Sequence, residues 1–138
     1  MKKDNNKKSC YISGQIDKLT YRQRDKLFEK LYSELEKLVL EGYTDFVFSN
    51  NGILETVARV AVISLKLRYR NIKTVYAPTR VDEDIEQLGK KYNEVRTPVA
   101  DSLTIIDNSD YCLFYKLDNE SKDLDYAKHT NTPHSNLA

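Results

Sequence analysis

Residues 43–55, Tyr43-Thr44-Asp45-Phe46-Val47-Phe48-Ser49-Asn50-Asn51-Gly52-Ile53-Leu54-Glu55, decide the fold. Within Asp45–Ser49 the run Phe46-Val47-Phe48 is too short for a helix and rich in strand formers. Asn50-Asn51-Gly52 breaks it, and from about Ile53 to Tyr69 the pattern becomes helical. That helix carries Val57, Ala58, Val60, Ala61, Ile63, Leu65 and Leu67. It is apolar on more than one side, so it is expected to be buried between a sheet and a second subunit. A strand feeding straight into a buried helix is half of a βαβ unit, the building block of a parallel sheet.

Working outward from this unit, the same alternation continues both ways. Upstream, Cys10–Ser13 reads as a short strand ended by Gly14. Thr20 to about Leu40 reads as a helix, with Leu27, Phe28, Leu31, Leu35, Leu38 and Val39 at three- and four-residue spacing. Thr20 and Gln23 have the spacing of a capping box, and Gly42 supplies the stop. Downstream, Ile72–Ala77 reads as a strand closed by Pro78. Asp82 to about Tyr92 reads as a short helix whose leading acids suit a helix N-terminus. Thr97-Pro98 is expected to open a helix running to about Ile106, with proline at its first position. Tyr111–Leu117 is a fourth strand, Ser121 to about Thr130 a final helix, and Pro133–Leu137 a short fifth strand. The expected fold is α/β: a Rossmann-like three-layer sandwich with a mostly parallel sheet of about four to five strands.

Composition agrees with one globular domain. The chain has 138 residues, 40% hydrophobic and 31% charged, with a net charge of +1. The charge is uneven: Lys2, Lys3, Lys7 and Lys8 face only Asp4 in the first nine residues, so the rest carries −2. Residues 1–9 are therefore expected to form a disordered basic leader and residues 10–138 a single domain. A slightly acidic domain gives no footprint for nucleic acid. No apolar run approaches the roughly 20 residues of a membrane span, and the expected location is the cytoplasm. Cys10 and Cys112 lie in strand-like runs and are expected to be buried thiols. His129 and His134 are confined to the last ten residues, so neither a metal site nor a Cys/His nucleophile is expected.

In such a fold ligands sit beyond the carboxyl ends of the strands, where strand order reverses. That rule directs attention to the loops after Ser13, Ser49, Ala77 and Leu117. The first holds Ser13, Gly14 and Gln15; its glycine either admits a ligand to the backbone or makes an ordinary turn. The second, Ser49-Asn50-Asn51-Gly52, leads to a helix N-terminus whose N–H groups suit an anion. Glu55 lies one turn in, placed either to accept from ribose hydroxyls or to cap back onto Gly52. The third loop offers Thr79 and Arg80, and the fourth Asn119 and Glu120.

Three segments in order resemble the SLOG superfamily, and within it the YpsA-like branch related to DprA and the LOG proteins. They are Cys10-Tyr11-Ile12-Ser13-Gly14; Glu41 to Val47 followed by Glu55 and Ala58; and Ile106-Asp107-Asn108-Ser109-Asp110-Tyr111 with Asp125-Tyr126-Ala127. The resemblance spans Cys10 to Leu137 and implies a nucleotide-related ligand, sensed or hydrolysed. The chain departs from the family pattern at its glycine-rich loops. Ser49 and Ile53 stand where glycines are usual, and Asp118-Asn119-Glu120 stands where a Gly-Gly-Thr run is usual. Such losses remove the close backbone cradle that a phosphate needs.

The expected function is therefore non-catalytic binding of a nucleotide-derived small molecule, an ADP-ribose-type signal or a nucleoside phosphate, to sense or sequester it. No separate cofactor is expected. The family resemblance also leaves open a LOG-type N-glycosidase using Glu55 or Glu120 as its acid. A third reading is an oligomeric scaffold that has lost its pocket, since ten tyrosines and an apolar second helix suit interfaces. A homo-oligomer, dimer or higher, is expected.

Overall fold

A computed structural model describes residues 7–79 and 85–137. In chain order these form β1 (Lys8–Gly14), α1 (Tyr21–Leu40), β2 (Tyr43–Phe48), α2 (Ile53–Lys66), β3 (Lys73–Tyr76), α3 (Ile85–Gly89), β4 (Glu94–Val95), α4 (Ser102–Asp107), β5 (Tyr111–Tyr115), α5 (Lys122–His129) and β6 (His134–Leu137). The six strands make one sheet, order β4-β3-β2-β1-β5-β6, with every adjacent pair parallel. This is the expected Rossmann-like α/β architecture with one strand more than expected.

Strand alternation divides the core in two. Cys10, Ile12, Phe46, Phe48, Tyr76 and Leu113 face α1 and α2, packing on Leu31, Leu35, Ala58, Ala61 and Leu65. Their neighbours Tyr11, Val47, Val75, Cys112 and Phe114 face α4 and α5, packing on Ile105, Ile106, Leu124 and Ala127. Every residue of β2 is buried, which explains why its apolar run shows no polar alternation. On α1 the stripe Leu27, Leu31, Leu35, Leu38 is buried, and each such leucine contributes about 1.5–3 kcal/mol by leaving water. The capping box forms as expected: Thr20 Oγ1 accepts from the Gln23 N–H, and Gln23 Oε1 accepts from the Thr20 N–H. Gly42, at φ +102°, takes the left-handed turn that ends the helix.

The boundaries differ from expectation in the middle of the chain. The helix expected from Thr97-Pro98 begins instead at Ser102, because the Asp101 carboxylate caps it by accepting from the Thr104 N–H at 3.2 Å. Residues 96–99 continue along the end of β3, with Arg96 N–H donating to Tyr76 O and Val99 N–H to Pro78 O. Proline at position 98 favours that extended course, since it disfavours helical backbone at Thr97. The two-residue β4 was not expected at all. α2 ends at Lys66 rather than Tyr69, and β1 begins two residues early, at Lys8. Of the helix expected over Asp82–Tyr92, Ile85–Gly89 is helical; Asp82, Glu83 and Asp84 lie outside the described residues. So do residues 1–6 of the basic leader. Cys10 and Cys112 are both buried free thiols, as expected. Among the described residues no helix is long and apolar enough to cross a membrane.

Candidate functional site

Strand order reverses between β1 and β5. The chain leaving β1 crosses one face of the sheet to β2, and the chain leaving β5 crosses the other face to β6. Their diverging loops open a crevice at the carboxyl ends of the strands. Three adjoining cavities occupy it. One of about 450 Å³ lies under the loop after β5 and the head of α5, lined by Gln15, Ser102, Leu117, Asp118, Glu120, Ser121, Lys122 and Asp123. The next, about 390 Å³, is lined by Tyr11, Ser13, Ser49, Asn50, Thr79, Ala100, Asp101, Ser102 and Asp123. The third, about 300 Å³, sits at the head of α2, lined by Gly14, Gln15, Ile16, Asp17, Asn50, Gly52, Ile53, Leu54 and Glu55. Gln15, Asn50, Ser102 and Asp123 are shared between neighbouring cavities, so the three form one groove.

The floor of the middle cavity is built from hydroxyls. Tyr11 reaches through the core to bring its hydroxyl within 2.8 Å of Ser49 Oγ. Burial pushes the Tyr11 phenol up to about 12, with the Ser49 hydrogen bond opposing. It therefore stays a neutral hydrogen-bonding group near neutral pH. At the wall Ser102, on the first turn of α4, donates to the Asp123 carboxylate on the first turn of α5. The loop after β5 is clamped from the edge of the sheet: Asn136 Nδ2 donates to Leu117 O at 2.9 Å, and Leu117 N–H donates to Asn136 Oδ1 at 3.0 Å. Asp118 Oδ1 accepts from the Glu120 N–H at 2.8 Å, tightening the same loop.

At the head of α2, Glu55 occupies the third helical position and is only 2% exposed. Its carboxylate folds back over the N-cap, where Oε1 would lie 2.9 Å from a Cβ on Gly52. Oε2 is buried with no hydrogen-bond partner among the described residues. Burial raises the Glu55 pKa, while the backbone N–H groups of Glu55, Gly14 and Gly52 pull it the other way. Glu55 thus leans on the helix N-terminus and also lines the cavity. Gly14 also lines this cavity, and its lack of a side chain has a packing reason. A Cβ there would stand 2.7 Å from Tyr115 O and 2.9 Å from Leu54 Cγ.

Of the expected site residues, the groove brings together Ser13, Gly14, Gln15, Ser49, Asn50, Gly52, Glu55, Thr79 and Glu120. Asn51 and Asn119 are outside these linings. Asn51 Oδ1 accepts from the Tyr92 hydroxyl at 3.3 Å, and Asn119 is exposed in the turn before α5. Arg80 lies outside the described residues. Sequence reasoning missed Tyr11, Asp17, Asp101, Ser102, Asp118, Lys122 and Asp123. Asp101 and Ser102 were hidden by starting α4 at Thr97. Asp123 read only as a helix-start acid until the topology placed that start beside α4.

The lining is acidic: Asp17, Glu55, Asp101, Asp118, Glu120 and Asp123 face a single described cation, Lys122. Such a groove favours ligands that donate hydrogen bonds and disfavours bare anions. Among the described residues no group of three or more His, Cys, Asp or Glu is placed to hold a metal ion. Fold and groove together define a Rossmann-like α/β protein with a polar crevice at its switch point. No model of a known protein family matches the chain, and no curated protein matches it in sequence.

Proposed function

We propose that this chain is a divergent SLOG-type protein that binds a nucleotide-derived small molecule without turning it over, recognising it through its nucleoside part. The observation that carries this reading is the middle cavity, where Ser13, Ser49, Ser102 and Asp123 converge at the carboxyl ends of β1 and β2. Serine hydroxyls and an aspartate beside a switch point suit the hydroxyls of a ribose, because a carboxylate accepts from vicinal O–H groups. The acidic lining argues for the nucleoside over the phosphate as the recognised part. Lys122, at the mouth of the neighbouring cavity, is the described cation available to a phosphate.

The test is calorimetry with nucleosides, their phosphates and ADP-ribose, followed by recovery of the ligand after denaturation. Binding is expected with the ligand recovered intact. Asp123→Asn should weaken it about tenfold, the loss of one charge-assisted hydrogen bond. A released free base would move the assignment to the N-glycosidase alternative. Absence of binding by every compound would defeat the nucleoside reading.

A further inference from the structure

We propose that the cavity at the head of α2 receives a planar ligand edge bearing two adjacent N–H donors, and that Glu55 is its acceptor. The inference deepens the nucleoside reading, on which its choice of a base as first ligand rests. Glu55 is a carboxylate 2% exposed, with one oxygen unpartnered, on the wall of a cavity of about 300 Å³. A buried acceptor left without a donor is costly, and an N–H-bearing ligand removes that cost.

Among the described residues no cation is ion-paired with Glu55, although the Nε of Arg59 is likewise buried without a partner. Arg59, one turn further along α2, directs its guanidinium over the Tyr92 ring at 5.7 Å from the centroid. The other polar side chains of the cavity are Asp17, a second carboxylate, and the amides of Gln15 and Asn50. Among the described residues no lysine or arginine lines it. Rotation about the last side-chain bond of Glu55, a soft torsion, is what would bring the unpaired oxygen, and Oε1 with it, round to the cavity. A carboxylate facing two parallel N–H groups makes the bidentate pair that gives both strength and planarity to recognition.

Two sources carry such an edge: a guanine base, through its ring N–H and exocyclic amine, and a guanidinium group. A guanine is the form that the groove favours, because Asn50 belongs to both this cavity and the hydroxyl-lined one beside it. Base and ribose would then fill adjoining spaces.

Calorimetric titration of the full chain with guanosine, inosine, adenosine and agmatine distinguishes these cases, repeated on Glu55→Gln and Asp123→Asn. Guanosine is expected to bind, with inosine, which lacks the exocyclic amine, weaker by about 10- to 100-fold. Glu55→Gln should weaken guanosine by a similar factor and leave inosine much less affected. Agmatine binding that depends on Glu55, without any nucleoside binding, would uphold the N–H-edge proposal and defeat the nucleoside reading. Equal binding of all three nucleosides, unaffected by Glu55→Gln, would overturn the Glu55 assignment and leave the nucleoside reading intact. No binding of any probe at millimolar concentration would overturn both.

Discussion

Glu55 holds a charge that the folded chain has partly withdrawn from water, and its effect on stability has a definite sign. Its pKa is raised from the ordinary value of 4.5, first by burial. The folded state therefore holds the proton more tightly than the unfolded state. Glu55 is least unfavourable below the unfolded pKa, and its cost grows as pH rises through the folded pKa. Glutamine keeps the shape and removes the charge. Glu55→Gln is expected to raise stability at pH 7–8 by on the order of 1 kcal/mol, because it removes the desolvated charge while keeping a polar group in place. That gain should shrink toward zero below pH 4, as read by urea unfolding across the pH range. A difference independent of pH would show that the carboxylate is not strained by burial. Gly14 makes a second residue-scale case. Alanine there sets a Cβ against Tyr115 O and Leu54 Cγ, at 2.7 and 2.9 Å, and backbone on one side cannot yield cheaply. Gly14→Ala should cost about 1–3 kcal/mol by the same unfolding assay, as overpacking does. An alanine variant as stable as the parent would mean that the heads of β1 and α2 adjust freely. Sequence alone left Gly14 open between turn and ligand contact, because the atom that excludes a side chain belongs to Tyr115, a hundred residues on.

Elements with their own periodicity or caps were legible, and those defined by distant partners were not. α1 carries its stripe and its capping box in contiguous residues, so its start at Tyr21 after Thr20 follows from local chemistry. β4 carries nothing comparable: Glu94 and Val95 become a strand only because β3 offers a free edge. Thr97-Pro98 has the form of a helix start, yet the bonds from Arg96 to Tyr76 and from Val99 to Pro78 hold it extended. The candidate site followed the same division. Ser13, Ser49 and Asn50 sit at strand ends that the pattern located, whereas Asp123 and Ser102 meet only after two helices are packed. The β4 edge also carries the chain's densest set of described ion pairs. Lys73 pairs with Glu94 and, at 3.9 Å, with Asp45; Arg96 lies 3.4 Å from Glu94 and 3.8 Å from Asp45. Lys73, the nearest cation, holds the Glu94 pKa below its usual value. A lowered carboxylate pKa adds stability above the unfolded value of 4.5, which is lost as pH falls through the folded value. Glu94 is 38% exposed, so solvent and salt screen much of the pairing. Glu94→Gln should therefore cost no more than about 1 kcal/mol at pH 7, less at high salt and nothing in strong acid. A loss above 2 kcal/mol would mean that these charges hold β4 on the sheet rather than decorate its edge.

At the scale of the molecule, the two helical layers differ in the surface they present. Between its ends, α1 turns Arg22, Lys26, Glu29, Lys30 and Lys37 outward, its exposed apolar side chains being Tyr21 and Leu40 at the two ends. α2 instead presents Val60 and Ile63, each 44% exposed, and Leu67, 82% exposed, at three- and four-residue spacing. A shallow apolar cavity of about 210 Å³ continues this stripe toward α1, between Phe28, Val57 and Val60, with Arg24 and Asp25 on its rim. The second helix is apolar on more than one side in the sequence, and the fold buries only one side of it. We propose that the exposed side meets a second copy of the chain, α2 against α2 in antiparallel two-fold contact. Such a contact buries Val60, Ile63 and Leu67 against their counterparts on the other copy. It also lies on the face away from Asp123 and the hydroxyl floor of the groove, so self-association and ligand binding are separable. Ile63→Glu with Leu67→Glu is expected to give a monomer by sedimentation velocity at concentrations where the parent is a dimer. The far-ultraviolet spectrum and nucleoside affinity should be unchanged, since neither side chain enters the core or the groove. A parent chain that sediments as a monomer at 100 micromolar would remove the interface. Loss of nucleoside binding on dissociation would instead tie the groove to the assembled form.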